Sequence, residues 1–169
     1  VCTIMVADCL PVLLAHDSRL IVGAAHAGWR GLAGMPPSRA TADGPLAGGV
    51  LESLFESFCQ KVQAQKALPA IKKEVSQIAA HTQVWLGPCI GPEFFEVGAE
   101  VRDIFVAHDP AAAQCFVPIS VLNTKYLANL PLLARQRLEV LCITAIFGND
   151  GGKPWCTVSH ASRFHSHRR

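Results

Sequence analysis

The sequence predicts a single domain of the α/β (α+β) class, in which layers of mixed β-sheet are flanked by helices. The chain has 169 residues, enough for one compact core and too few for two ordinary domains. Half of the residues are hydrophobic and 17% are charged, a composition typical of globular proteins. Short apolar runs of strand length alternate with segments of helical periodicity. We therefore expect one folding unit over residues 1–169.

A β-hairpin is predicted near the N-terminus. The runs Leu10–Ala15 and Leu20–Ala25 are apolar, and the polar residues 16–19 separate them. Short apolar segments on either side of a polar turn are typical of paired strands, here buried on both faces. The β-rich residues 1–7 indicate a further strand before the hairpin.

Helices, strands and a loop follow the hairpin. Apolar residues at helical spacing predict helices over 50–62, 97–105 and 127–138, with Pro131 starting or kinking the last one. Apolar runs indicate strands over 84–86, 140–147 and 155–159. Residues 33–49 are rich in Gly, Pro, Ser, Thr and Ala, and we interpret them as an inserted flexible loop.

Cys9 and His26 are the strongest candidates for chemistry. A turn centred on Asp17-Ser18 places Cys9 directly opposite His26 on the neighbouring strand. Side chains opposed in this way have Cβ atoms about 4.5–5.5 Å apart, which suits a shared metal ion or a thiolate–imidazole pair. The alternative is that Cys9 is a small core residue and His26 a hydrogen-bonded buried histidine.

Five stretches of the chain give a second indication of function, since they resemble known sequence motifs. They are Val6–Val12, Ala25–Gly31, Leu86–Gly98, Lys125–Arg135 and Cys156–Arg169. In order and spacing they resemble the successive motifs of the YfiH-type, laccase-like family of purine nucleoside phosphorylases. The resemblance extends along nearly the whole chain. It implies β-sheet layers flanked by helices, and a zinc site made of one cysteine and two histidines.

The resemblance also implies substrates, ligands and activities. Cys9 and His26 match two of the family's metal ligands, and the other histidine belongs to an upstream segment that this sequence lacks. We expect a fragment without N-terminal strands and without the C-terminal tail. Family members are zinc-dependent purine nucleoside phosphorylases with adenosine deaminase and methylthioadenosine phosphorylase side activities. An older interpretation makes them copper-using polyphenol oxidases.

Four further residues are predicted to serve such a reaction. Asp8 is a candidate proton carrier beside the metal, although its carboxylate could equally bind backbone amides at the strand end. Arg30 is suited to phosphate because a guanidinium forms paired hydrogen bonds to oxyanions. Arg168 and Arg169 are further phosphate candidates. The turn at 87–92 could present backbone amides to a substrate, or could equally be a tight turn that leaves a strand.

Several alternatives remain open at this point. Cys9 could be the nucleophile of a cysteine hydrolase with His26 as its base, or the chain could be an inactive truncated domain. We expect the family's activity in the intact protein, and weak or absent activity in these 169 residues alone. The net charge of +2 gives no case for nucleic acid or a membrane surface as a partner. Seven cysteines at wide spacing favour reduced thiols, and a secretory signal is not evident, so we expect a cytoplasmic protein. The oligomeric state is open.

Overall fold

Two β-sheets and five α-helices make up the part of the chain that the structure describes. The computed structural model describes residues 2–18, 20–34, 48–122 and 124–168. In chain order the regular elements are β1 (Leu10–His16), β2 (Val22–Ala27), α1 (Trp29–Ala33), α2 (Val50–Ala64), α3 (Val75–Ala80), β3 (Thr82–Leu86), β4 (Glu96–Gly98), α4 (Ala99–His108), β5 (Phe116–Pro118), β6 (Lys125–Ala128), α5 (Leu130–Val140) and β7 (Ala145–Gly148). The predicted α/β class is confirmed.

The larger sheet has the strand order β2-β1-β3-β7, and the smaller has the order β4-β6-β5. Strand β1 is antiparallel to both of its neighbours, whereas β7 joins β3 in parallel. The smaller sheet is antiparallel throughout. Sequence analysis missed the smaller sheet because strands of three or four residues are too short to show a periodicity.

The larger sheet is buried on one face only. Leu10, Val12 and Leu14 of β1 are buried, and helix α2 packs beneath β2 with Phe55 and Phe58 in the same core. On the outer face, Leu13 of β1 is 39% exposed. The prediction of strands buried on both faces is therefore wrong. The alternation along β1 is that of a strand with one face on the core.

The predicted hairpin is present, but its register differs from the prediction. Pro11, and not Cys9, faces His26, an offset of two residues. The connection is longer than a two-residue turn, since the His16 N–H donates to the Ile21 carbonyl at 3.1 Å. An offset of two residues leaves every side chain on its predicted face, because side chains alternate with a period of two.

The predicted helices are confirmed, with shifted ends. Residue 97 lies in β4 and residue 127 in β6, so α4 and α5 begin later than expected. Pro131 lies in the first turn of α5, where its missing N–H is harmless. Where a strand over 155–159 was expected, a 3₁₀ turn ends at Trp155, Cys156 forms an isolated bridge with Cys89, and residues 157–159 are turn; residues 2–6 form no strand. Both of those strand predictions are wrong.

Helix α1 begins at Trp29, within the His-Ala-Gly-Trp-Arg stretch, and reaches the start of the loop predicted over 33–49. It ends at Gly34, whose φ of 73° is the left-handed conformation that favours glycine. Residues 35–47 of that loop, and Arg169, lie outside the described residues. In the part of the chain that is described, no helix combines the length and apolarity needed to cross a bilayer.

Candidate active site

A cavity of about 500 Å³ lies at the end of strand β1, and we call it the strand-end pocket. Its walls include residues that precede β1, residues at the start of α1, and the C-terminal segment. Four of the six residues predicted as site residues line it: Asp8, Cys9, Arg30 and Arg168. His26 is not among the lining residues, and Arg169 lies outside the described residues. The volume is in the range of small-molecule sites.

Cys9 lies half-buried just before β1, beside Gly28. A Cβ added at Gly28 would lie 3.0 Å from the Cys9 sulfur, so the glycine leaves the space that this thiol occupies. Burial, and then the charge of Asp8, raises the pKa of the Cys9 thiol above its ordinary value. A nucleophilic cysteine needs the opposite shift. Cys9 by itself is therefore poorly suited to be the nucleophile of a hydrolase.

His26 lies on β2 with an exposed side chain, opposite Pro11. The prediction that His26 directly faces Cys9 is wrong, because the longer hairpin connection shifts the register. Among the residues that the structure describes, no group of three or more His, Cys, Asp and Glu side chains could hold a metal ion. A catalytic zinc normally has three protein ligands. The described residues alone thus do not form a complete zinc site.

The carboxylate of Asp8 is held by three donors. It accepts hydrogen bonds from the Thr157 hydroxyl at 2.6 Å, the Ser166 hydroxyl at 3.1 Å and the His167 N–H at 2.7 Å. Burial raises the pKa of Asp8, but these hydrogen bonds outweigh it and lower the pKa below its ordinary value. The carboxylate is thus held as an ion. This arrangement favours the hydrogen-bonding interpretation of Asp8 over proton transfer.

Two arginines give the pocket a positive charge. The Arg30 guanidinium lies 4.4 Å from the centre of the Trp29 ring, and that of Arg168 lies 5.7 Å from the centre of Phe95. Arg168 also donates to the Phe94 carbonyl at 3.4 Å. Within the described ranges neither guanidinium forms an ion pair with a carboxylate. Both remain able to bind an anion in the pocket.

The turn at 87–92 supports the pocket from within the protein. The N–H groups of Cys89, Ile90 and Gly91 donate to Trp155, Asp8 and the Cys156 sulfur respectively. The prediction that these amides face a substrate is wrong, because protein atoms already accept their hydrogen bonds.

Sequence analysis missed Thr157 and Ser166 as partners of Asp8. They lie 149 and 158 residues further along the chain, and no local pattern connects groups so far apart. The motif match around Cys156–Arg169 was the one signal in the sequence that pointed to this segment.

The fold and the pocket define a class: an α/β protein with a thiol, aromatic rings and two guanidinium groups, neither paired with a carboxylate of the described residues, at one end of a β-hairpin. The chain belongs to the family described as multi-copper polyphenol oxidoreductase laccase, whose model matches residues 1–42 and 55–169. The resemblance to YfiH-type proteins is thereby confirmed.

Named relatives agree with this membership. The chain is 43% identical over 168 residues to a purine nucleoside phosphorylase of Pseudomonas aeruginosa, a match that covers 99% of this chain and 54% of that protein. It is 38% identical to the purine nucleoside phosphorylase YfiH of Escherichia coli, with 100% of this chain and 54% of the relative covered. The chain therefore spans about half the length of the curated relatives it matches.

Solved structures show the same fold. A Neisseria meningitidis protein superimposes with a TM-score of 0.73 at 34% identity, covering 98% of this chain and 53% of that one. The YlmD protein of Geobacillus stearothermophilus gives a TM-score of 0.68 at 24% identity, covering 97% and 50%. At that lower identity the likeness concerns the fold alone.

Proposed function

We propose that the strand-end pocket binds phosphate and a purine nucleoside, and that the protein is a purine nucleoside phosphorylase. The observation that carries the proposal is the presence of Arg30 and Arg168, both without a carboxylate partner in the described structure, around one cavity. Guanidinium groups suit phosphate oxygens in geometry and charge. The names of the relatives supply the substrate class.

Phosphorolysis needs few reacting groups from the protein. A phosphate oxygen forms a bond to the anomeric carbon of the ribose, and the glycosidic bond to the purine nitrogen breaks. The departing base keeps the electron pair and takes up a proton, which leaves ribose 1-phosphate. Arg30 and Arg168 hold and orient the phosphate. Half-buried Trp29 offers an apolar surface to the flat base.

Base release with and without inorganic phosphate tests this proposal. With inosine or adenosine as substrate, we expect release that depends on phosphate and falls at least tenfold in Arg30→Ala. Arg163→Ala is the matched control, because Arg163 is an exposed arginine stacked on Phe164 outside the pocket. Phosphate-independent base release, or an Arg30→Ala variant as active as Arg163→Ala, contradicts the proposal.

The same reactions distinguish the other activities. Release of ammonia from adenosine would reveal a deaminase side activity, and cleavage of methylthioadenosine the corresponding phosphorylase activity. Oxygen uptake with a phenol would favour a copper-dependent polyphenol oxidase. A folded chain inactive in every assay would favour the inactive truncated domain. The cysteine hydrolase has the least support, since burial raises the pKa of Cys9 and His26 does not face it.

We further propose that Cys9 and His26 are two zinc ligands of a site completed by a ligand outside the described residues. Both are near the same end of the hairpin, and thiolate and imidazole suit zinc. Calorimetric zinc titration tests the pair, with His108→Ala, an exposed histidine at the end of α4, as control. We expect Cys9→Ala and His26→Ala each to abolish binding that the control retains. Equal binding by all variants contradicts the pair, and tighter copper binding would favour the alternative metal.

A cytoplasmic location remains part of the proposal.

A further inference from the structure

One carboxylate joins the C-terminal segment to the strand-end pocket. The segment is 166–168, and its first two residues both donate to the same oxygen of Asp8, from the Ser166 hydroxyl at 3.1 Å and the His167 N–H at 2.7 Å. The other oxygen of Asp8 accepts from the buried Thr157 hydroxyl at 2.6 Å. Such hydrogen bonds to an ionised acceptor are stronger than those between neutral groups.

Burial and a backbone hydrogen bond hold Asp8 in place. It is only 8% exposed, and its own carbonyl accepts from the Ile90 N–H at 2.9 Å. Its φ is 76°, a left-handed conformation uncommon for a residue other than glycine. Aspartate and asparagine tolerate this conformation better than most residues. The backbone therefore fixes the direction of the carboxylate before the C-terminal segment docks on it.

Arg168 depends on that segment for its place in the pocket. Its backbone N–H donates to the Ser166 hydroxyl at 3.1 Å, so both residues belong to one small hydrogen-bonded unit. Its side chain is exposed and makes one hydrogen bond that the structure describes, to the Phe94 carbonyl at 3.4 Å. Besides that hydrogen bond and its position 5.7 Å from the centre of the Phe95 ring, the guanidinium depends on the attachment of the segment to Asp8 for its place in the pocket that Cys9 and Arg30 also line.

We propose that Asp8 is a positioning residue for anion binding: it docks segment 166–168 on the strand end and thereby places Arg168 in the pocket. The inference rests on the proposed function in so far as the anion is phosphate. Direct electrostatics would give Asp8 the opposite effect, because a carboxylate near a bound phosphate repels it. Removal of the Asp8 charge should strengthen phosphate binding if charge alone acts, and should weaken it if Asp8 acts through Arg168.

The test combines phosphate affinity with hydrogen exchange in the full 169-residue chain. Asp8→Asn is the informative variant, because asparagine keeps the shape and tolerates the left-handed backbone. We expect its dissociation constant for inorganic phosphate to rise about tenfold and the exchange of the His167 N–H to accelerate by a similar factor, since hydrogen bonds to charged groups are worth about that much. Ser166→Ala, which removes one donor from a partly exposed site, should show smaller changes in the same direction.

A double-mutant cycle separates positioning from other causes. Arg168→Ala should weaken phosphate binding without changing the exchange of the His167 N–H. Adding Asp8→Asn to Arg168→Ala should then cost nothing more, because the residue that Asp8 places is already gone. Tighter phosphate binding in Asp8→Asn, unchanged His167 exchange, or fully additive losses in the double variant would overturn the proposal.

The two proposals can fail separately. If the unaltered chain does not bind phosphate, the proposed function loses its support, while the exchange of the His167 N–H in Asp8→Asn still decides whether Asp8 docks the segment. If Asp8→Asn does not fold, Ser166→Ala carries the test, and unchanged exchange and affinity in that variant would contradict the inference.

Discussion

The two ends of strand β1 use the same chemistry in different ways. At one end Asp8 precedes the strand, and at the other Asp17 follows it, each beside a side chain that can bind a metal or a proton. Asp17 interacts with its neighbour His16 and with His81. Asp8 binds donors that lie 149 to 159 residues further along the chain. The Asp17 end is a hairpin connection, whereas the Asp8 end builds a pocket.

The two aspartates differ in burial, and therefore in how much each carboxylate stabilises the fold. The Asp17 side chain is 37% exposed and that of its partner His81 is 30% exposed, whereas its other partner, the His16 ring, is buried. Asp8 is 8% exposed; its hydrogen bond from Thr157 is buried, and those from Ser166 and His167 are partly buried. Exposed ion pairs contribute about 0–1 kcal/mol, whereas a buried donor left without its acceptor costs about 1–3 kcal/mol. A carboxylate therefore stabilises the fold far more at the pocket end of β1.

The largest expected effect is the difference in stability lost when each of the two aspartates is replaced. Asp8→Ala leaves the Thr157 hydroxyl and the His167 N–H without the carboxylate that accepts their hydrogen bonds. We expect a loss of roughly 3 kcal/mol in the free energy of unfolding, against less than about 1 kcal/mol for Asp17→Ala. Urea unfolding of both variants measures the difference. Equal losses would show that burial does not distinguish the two ends of the strand.

A smaller effect on the free energy of unfolding is expected at alkaline pH from the Cys89 thiol, which lies near the Asp8 end of β1. Burial raises the pKa of Cys89 to about 12, with an opposing hydrogen bond from Asn149 and smaller increases from nearby Cys156, Cys9 and Asp8. An unfolded thiol ionises near 9.0. Because the folded pKa is the higher one, the stabilisation is complete below pH 9 and is lost as the pH rises towards 12.

Cys89→Ala should therefore flatten the decline of stability with pH by roughly 1 kcal/mol per pH unit above pH 9. Exposed Cys2 provides the control, and Cys2→Ala should leave the slope as it is. Unfolding midpoints between pH 8 and pH 11 give both slopes. A Cys89→Ala slope as steep as that of the unaltered chain would mean that Cys89 ionises in the folded state.

The smallest effect belongs to the hairpin connection. The Ser18 hydroxyl lies 2.9 Å from the Nδ1 atom of His16, and Ser18→Ala removes that contact. We expect a loss of about 0.5–1.5 kcal/mol and no change of register, since the buried faces of β1 and β2 hold it. Backbone amide shifts of the two strands report the register. A shifted pairing would show that the turn, and not the core, sets the alignment.

The two ends of β1 also show what the sequence can and cannot predict. The hairpin was predictable because apolar runs flank a polar turn, and helix α2 because its apolar residues recur at helical spacing. The register was not predictable, because the apolar pattern does not show that the connection is longer than a two-residue turn. The hydrogen-bond partners of Asp8 were not predictable either, because they lie far along the chain and only folding brings them to Asp8. Arg30 and Arg168 were found through motif and residue chemistry.

A crystal structure of the chain with inorganic phosphate tests the central claim most directly. We expect the phosphate in the strand-end pocket, within hydrogen-bond distance of the guanidinium groups of Arg30 and Arg168, while Asp8 still accepts from Ser166 and the His167 N–H. A phosphate bound away from both arginines, or segment 166–168 detached from Asp8 while the phosphate stays in place, would contradict the account.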